Sequence, residues 1–486
     1  MAAFKSLLAL STLLLFFRVH TQSTTAPAAS ASCSRPIIPK ASVAPGWDVQ
    51  VVASGLNQPR GIIFDSNGHL LVVQQDKGIS SLSITEDGGG ACVRAGDPTD
   101  VIEDESLNHG IELSADGKTL YASSAEAVYA WDYDPTEARN TSAPREIIGR
   151  MGDTDGHVTR TILMSRKAEG MLLVSRGSMS NLDLAALDPA TGVSTVKVYN
   201  VSNVTDTPYE FMNDGLLLGW GLRNSVGLAE DPVTGSLYSV ENSVDNFERE
   251  GRNIHQNNPG EELNFHGYLN GTETEELGGN YGYPSCYAAW EVDTIPNNEG
   301  IQVGTQFAIG DQNATVNDTF CQNGRVSPRL TFAAHMAPLD MKFNDNGTAA
   351  WITFHGSWNR DEPIGYKLSV VAFENGSPIE PANSSTAAID IVSNPKLSDC
   401  PDECFRPVGL AWDKNGRLYM TSDSTGEIYV ITRSDGSANS ASPSSGLPPS
   451  GTGASPSASS GSATRDYGMH SSWTLLIAGI LAFTSV

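Results

Sequence analysis

The chain has 486 residues, with 30 Lys and Arg against 56 Asp and Glu, a formal net charge of −26 at pH 7. Such acidity argues against duplex nucleic acid and anionic lipid as partners, because their phosphates would be repelled before contact. Charged residues make up only 18% of the chain, while Gly numbers 47 and Pro 26. With an ordinary apolar content, this argues against disorder of the body and favours a turn-rich all-β protein.

Residues 1–22 read as a secretory signal, with Lys5 ahead of an apolar run at 7–17 and small residues after it. That run is too short to span a bilayer. Residues 23–433 then repeat one pattern six times. A small or turn residue opens an apolar strand, a Gly/Asp/Asn turn follows, and a second apolar strand ends in polar residues. The copies are PRGIIFDSNGHLLVVQQ from Pro59, NHGIELSADGKTLYASS from Asn108 and HVTRTILMSRKAEGMLLVSRGS from His157. They continue as RNSVGLAEDPVTGSLYSVEN from Arg223, APLDMKFNDNGTAAWITFHGS from Ala337 and RPVGLAWDKNGRLYMTSD from Arg406. Turns such as SNG, ADG and DNG supply residues that tolerate positive φ. Strand–turn–strand units separated by variable insertions read as blades, so an all-β, six-bladed β-propeller is expected.

Residues 434–463 are almost pure Ser, Gly, Pro and Ala and read as a linker. Residues 464–486 hold a polar spacer and an apolar tail from Trp473. With the small residues Ser460, Gly461 and Ser462 before them, they read as a GPI-type lipid-anchor signal. Membrane contact is expected only through that anchor, on the cell surface of a secreted protein. The six cysteines fit an oxidising route. By proximity the expected disulfides are Cys33–Cys92, Cys286–Cys321 and Cys400–Cys404. Glycan-acceptor triplets at Asn140, Asn200, Asn203, Asn270, Asn313, Asn317, Asn346, Asn375 and Asn383 point the same way.

Every repeat begins with its least apolar residues. Innermost propeller strands line the central channel, so equivalent strand ends meet at one mouth. Arg60, His109, His157, Arg223, Asn224 and Arg406 are therefore expected to converge in a polar funnel. Guanidinium groups there would grip a planar, multiply anionic ligand through bidentate pairs.

Two loops add candidates. Residues 240–268 offer Asn242, Asp245, Asn257, Asn258, Glu261 and Glu262, an oxygen-rich irregular stretch of the kind that suits calcium. Residues 354–367 carry His355, Trp358, Asn359, Arg360, Tyr366 and Lys367, where Trp and Arg could stack on and pair with a flat anion. No Gly-rich phosphate loop runs from a strand into a helix, and no serine-hydrolase elbow is present.

The six units, together with GLRNSVGLAEDP, NPGEELN, GGNYGYP and HGSWNR, resemble the soluble pyrroloquinoline-quinone-dependent sugar dehydrogenases. These belong to the glucose/sorbosone dehydrogenase superfamily, and the fungal secreted pyranose dehydrogenases are the part of it most resembled. The likeness runs over residues 46–431. It implies a six-bladed propeller holding pyrroloquinoline quinone and Ca2+ over the channel. It further implies His157 as general base, taking the anomeric hydroxyl proton as hydride passes from sugar C1 to the quinone. Arg223 and Asn224 would lie by the reactive carbonyl, and Arg60, Arg360, Lys367 and Arg406 by the quinone carboxylates. His109, His355 and Trp358 would complete the cofactor site. Calcium would be held by the 242–245 loop through Asn242, Ser243 and Asp245.

There are departures from the bacterial pattern. His109 stands where the bacterial enzymes have no imidazole, so His109 and His157 both remain open as the base. Asn242-Ser243 replaces the bacterial Gly-Pro of the calcium loop. No haem domain or cellulose-binding module is read, so a separate electron acceptor, cytochrome or quinone, is expected. Two other readings stand beside the sugar dehydrogenase. One is a calcium-dependent, lactonase-like propeller hydrolase; the other is a non-catalytic carbohydrate- or protein-binding propeller.

Overall fold

A computed structural model describes residues 41–87, 92–152 and 155–437. The leader, Cys33, and the linker and tail from residue 438 lie outside them. The described residues form six mainly antiparallel sheets of four or more strands, arranged as the six expected blades. Their innermost strands are Pro59–Phe64, Leu107–Leu113, Ile162–Met164, Ser225–Glu230, Pro338–Phe343 and Pro407–Trp412. These are the openings of the six sequence repeats, in order. Among the described residues the helical content is small: one α-helix, Asp318–Gly324, and a few single turns.

Each repeat turns for the same reason. The residue ending the first strand uses a side-chain oxygen to accept main-chain N–H groups of the turn. Asp65 accepts from Asn67 and His69, Ser114 from Lys118 and Thr119, and Ser165 from Lys167 and Ala168. Asp231 accepts from Val233 and Thr234, Asn344 from Thr348 and Ala349, and Asp413 from Asn415 and Arg417. The side chain thus satisfies donors that a tight hairpin would leave orphaned.

A second repeated feature sets the channel. Gly61, Gly110, Gly227 and Gly409 occupy the same place in four inner strands. A Cβ at Gly61 would lie 2.2 Å from the His109 carbonyl oxygen, one at Gly110 2.4 Å from that of Arg160, and one at Gly409 2.4 Å from that of Arg60. Neighbouring inner strands therefore pack main chain against main chain. At the equivalent place in blade 5, Asp340 is buried and its Oδ2 accepts the Leu410 N–H at 2.7 Å, tying blade 5 to blade 6. One residue earlier the ring is two-sided. Arg60, His109 and Arg160 stand there in blades 1–3, whereas Val226, Leu339 and Val408 form a small apolar cluster in blades 4–6.

The ring is closed by strand exchange between the ends of the propeller. Trp47–Ala53 supplies the outer strand of blade 6, pairing antiparallel with Glu427–Arg433 from Trp47↔Arg433 to Ala53↔Ile428. Trp351 packs edge-on against both Trp47 and Trp412, with ring centroids 6.4 and 5.0 Å away. The Cys286–Cys321 and Cys400–Cys404 disulfides form as expected. Cys92 is also disulfide-bonded, although its expected partner Cys33 is not among the described residues. No helix among those residues is long and apolar enough to cross a membrane.

The contact at Gly61 is against main chain, which cannot swing aside. Gly61→Ala is therefore expected to lower the thermal unfolding midpoint, at a cost of about 1–3 kcal/mol typical of overpacking. Gly324→Ala, where a Cβ meets nothing within 4 Å, should leave the midpoint unchanged. Equal midpoints for both variants would contradict the close-packed ring.

Candidate active site

In an antiparallel blade the start of the first strand lies beside the end of the second. Pro59 pairs with Gln74, Ser225 with Glu241, Pro338 with Phe354 and Pro407 with Ser422. The mouth is thus lined by both sets of residues and by the loops that follow the second strands. Two groups of side chains face each other across it.

On the side of blades 2–4, His157 is anchored by its ring. Its Nδ1 lies 2.9 Å from the Ser178 carbonyl oxygen and 3.0 Å from Ser178 Oγ. A carbonyl only accepts, and the Ser178 hydroxyl donates to Ser180 O at 2.7 Å. Nδ1 therefore carries the hydrogen, and Nε2 keeps its lone pair. Burial, then the nearby Arg223 guanidinium, lowers the His157 pKa to about 4, so the ring is neutral near pH 7. Gly177 makes the close approach possible, since a Cβ there would lie 2.6 Å from Asn224 Oδ1 and 2.8 Å from His157 Cβ.

Arg223 is nearly fully buried, and all three of its side-chain nitrogens are engaged. Nε donates to Asn181 O, Nη1 to the carbonyls of Asn242 and Ser243 at 3.3 and 2.6 Å, and Nη2 to Asn181 Oδ1 and Asp245 Oδ2 at 2.9 and 3.1 Å. The oxygens expected to hold calcium thus cradle a cation, and that cation is the guanidinium. A metal ion does not fit at Asn242, Ser243 and Asp245 while Arg223 holds them. Among the described residues no three His, Cys, Asp or Glu side chains are arranged to hold a metal.

Glu261 and Glu262, also considered as oxygen donors, are buried in blade 4 beside Glu241. They hold main chain instead. Glu241 Oε1 accepts the Arg223 N–H at 2.5 Å and Glu261 Oε2 the Ser243 N–H at 2.6 Å. Burial pushes the Glu241 pKa far up and that of Glu262 to about 7.

On the side of blades 1, 5 and 6, Asp423 is the centre. Its carboxylate meets Arg60 Nη1 at 2.6 Å and His355 Nε2 at 2.8 Å. Although burial opposes ionisation, the His355 hydrogen bond and Arg60 hold the Asp423 carboxyl well below its usual range. Arg406 donates to the carbonyls of His355 and Gly356 at 3.2 and 2.9 Å. His355, Arg406 and Asp423 open on a hollow of about 460 Å³.

Between the two groups, Asn108 Oδ1 and His109 Nδ1 are buried without a hydrogen-bond partner. Adjacent orphaned polar atoms on an inner strand, beside Arg60, fit a polar ligand better than they fit a core. The chemistry of this half, two guanidiniums and two imidazoles, fits a polycarboxylate quinone. His109 is only 4% exposed, so it belongs to the wall of the site.

Three other predicted residues sit apart. Arg360 straps two mouth loops together, donating to Gln256 O and Asn257 Oδ1. Lys367 opens the third strand of blade 5, its ammonium 2.8 Å from Asp390. Trp358 stands 68% exposed. Asp423, Ser178 and Asn181 join the site without a sequence signal of their own: each follows a second strand, whereas the repeats mark first-strand openings.

A propeller whose mouth combines a neutral, anchored imidazole with a guanidinium-rich wall defines a class of cofactor-dependent propeller enzymes. Comparison with known proteins narrows it. The TrAA12-like family model matches residues 41–434, and the chain belongs to that family. A pyrroloquinoline quinone-dependent sugar dehydrogenase of Hypocrea jecorina is 48% identical over 396 residues, covering 80% of this chain and 89% of that protein. A calcium structure of a Trichoderma reesei family AA12 enzyme superposes with a TM-score of 0.79 at 45% identity, covering 84% of this chain and all of that one. A pyrroloquinoline quinone-dependent pyranose dehydrogenase of Coprinopsis cinerea is 36% identical over 411 residues, 81% of this chain but only 55% of that protein. Its quinone domain, solved in holo form, superposes with a TM-score of 0.76 at 35% identity, covering 82% of this chain and 99% of the domain.

The depressed His157 pKa has a testable sign. The folded ring resists protonation that the unfolded ring accepts below about 6.5. Its stabilising contribution is thus complete above that pH and is lost as pH falls toward 4. In histidine-labelled protein, NMR should show His157 as the Nδ1–H tautomer with a titration midpoint near 4. An ordinary midpoint would contradict the buried geometry.

Proposed function

We propose that this chain is a secreted, pyrroloquinoline-quinone-dependent dehydrogenase that oxidises a sugar at its anomeric carbon. Its family membership and the names of its relatives support the cofactor and the substrate class. The observation that carries the mechanism is His157: its Nδ1–H is committed to Ser178, which leaves Nε2 as a proton acceptor at the mouth. The quinone, when bound, supplies an electrophilic carbonyl that accepts a hydride.

His157 Nε2 takes the proton of the anomeric hydroxyl as C1 gives up hydride, and the neutral ring is ready for this at pH 7. Ser178 fixes the ring orientation, and Asn224 is held against it across Gly177. Arg60, Arg406 and His355 would hold carboxylates of the cofactor, and Asp423 keeps Arg60 and His355 in place. Asn108 and His109 offer the unpaired atoms that a polar ligand would satisfy. Arg223, which ties the loops together, would supply fixed positive charge to developing oxyanion character. No metal is assigned a step, because Arg223 occupies the oxygens nearest to hand. The hydrolase reading, which needs a metal-bound water, gains no observation in its favour.

A separate external acceptor, a cytochrome or a quinone, would take the electrons. The tail reads as a lipid tether.

After loading with the quinone, His157→Ala should lose about 10²–10⁴-fold in sugar-dependent dye reduction, the usual share of a general base, while still binding the quinone. Undiminished turnover in that variant would remove His157 from the mechanism.

A further inference from the structure

The face opposite the mouth carries a feature that the dehydrogenase reading does not use. Asn346 lies in the turn between the first two strands of blade 5, Pro338–Phe343 and Ala349–Phe354. Asn375 follows the third strand of the same blade in a two-residue hairpin turn, with Glu374 paired to Ser377. Asn375 and Gly376 have φ of 52° and 76°, the positive pair that an Asn-Gly turn provides. Both asparagines are exposed, and both begin glycan-acceptor triplets, Asn346-Gly347-Thr348 and Asn375-Gly376-Ser377. Asn346 Oδ1 accepts the Thr348 hydroxyl at 2.7 Å.

The two sites share one hollow of about 370 Å³ between blades 4 and 5, which Val233, Thr234 and Ile379 also line. Val233 is 57% and Ile379 60% exposed, high values for large apolar side chains. Both apolar side chains thus lie in the hollow that the two acceptor asparagines also line. The first sugar of an N-linked glycan presents apolar ring faces as well as hydroxyls, and the hollow offers Thr234 and Glu374 for the latter.

We propose that Asn346 and Asn375 are both N-glycosylated and that their proximal sugars cover Val233 and Ile379. Each linkage forms when the side-chain amide nitrogen attacks C1 of the first N-acetylglucosamine of a lipid-pyrophosphate-linked oligosaccharide. The C1–N bond replaces the C1–O bond, the amide nitrogen loses a proton, and the lipid pyrophosphate leaves. The glycans then sit on the turn face. The mouth loops at 178–188, 242–258 and 355–366 contain no acceptor triplet and stay bare. The proposal rests on the secretory reading of the leader but not on the activity.

The test uses the full-length protein secreted from a eukaryotic host. Peptide N-glycosidase treatment in ¹⁸O water, followed by peptide mass spectrometry, should mark both Asn346 and Asn375. The deglycosylated protein should self-associate at concentrations where the glycosylated form is monomeric, and Val233→Thr with Ile379→Thr should restore the monomer. Marks at other acceptors but not at these two would overturn this proposal alone. A protein that keeps its leader and bears no mark anywhere would overturn the secretory reading with it. Marks at both positions without any change in association on deglycosylation would overturn the covering role. Sugar oxidation should be the same in all these forms, so loss of activity elsewhere does not bear on the outcome.

Discussion

One guanidinium organises half of the mouth. Arg223 is 5% exposed, and burying its charge would cost several kcal/mol if nothing compensated it. The compensation is complete: two carbonyls of the 242–243 turn, a carbonyl and an amide of Asn181, and the Asp245 carboxylate. Its own carbonyl accepts from Ser178 N–H at 2.8 Å, and Ser178 in turn holds His157. The imidazole is therefore oriented through a short chain of hydrogen bonds that ends on the same residue whose charge depresses its pKa. Arg223 thus helps to set the position of the His157 ring and, after burial itself, its low proton affinity.

The remaining half of the mouth follows a different rule. Arg60, Arg406, His355 and Asp423 come from three blades and meet only because the inner strands touch main chain to main chain. Gly61 and Gly409 permit that contact, and the exchanged strand Trp47–Ala53 closes the ring around it. The acidic protein gathers few cations, and it gathers several of them here. Asp423 tempers the group, leaving Arg60 paired in the absence of ligand, so an anionic ligand must compete with an internal carboxylate.

The architecture was legible because its signal is repeated. Six turn residues, from Asp65 to Asp413, do one local job in six places, and an inner strand opens a few residues before each of them. That order also places His157, Arg223, Asn224, Arg60 and Arg406 at the strand openings. Asp423 and Ser178 were not legible from it, because they follow second strands and reach the mouth only through antiparallel pairing. Lys367 opens a third strand, one step farther from the channel than the inner-strand openings. The calcium loop misled. Its oxygens are real, but an arginine distant by some twenty positions in sequence fills them, and no spacing rule reports that. The buried glutamates of blade 4 were read as oxygen donors when they serve as main-chain anchors.

The mouth is proposed to bind a polycarboxylate quinone and to pass a sugar's electrons to it. Anaerobic titration of the apoprotein with pyrroloquinoline quinone, followed by rapid mixing with an aldose, tests both steps by the absorbance of the cofactor alone. The account predicts saturation at one equivalent and then bleaching of the oxidised quinone in the absence of any dye. A quinone that fails to bind, or one that binds and keeps its oxidised spectrum with every aldose offered, would contradict it.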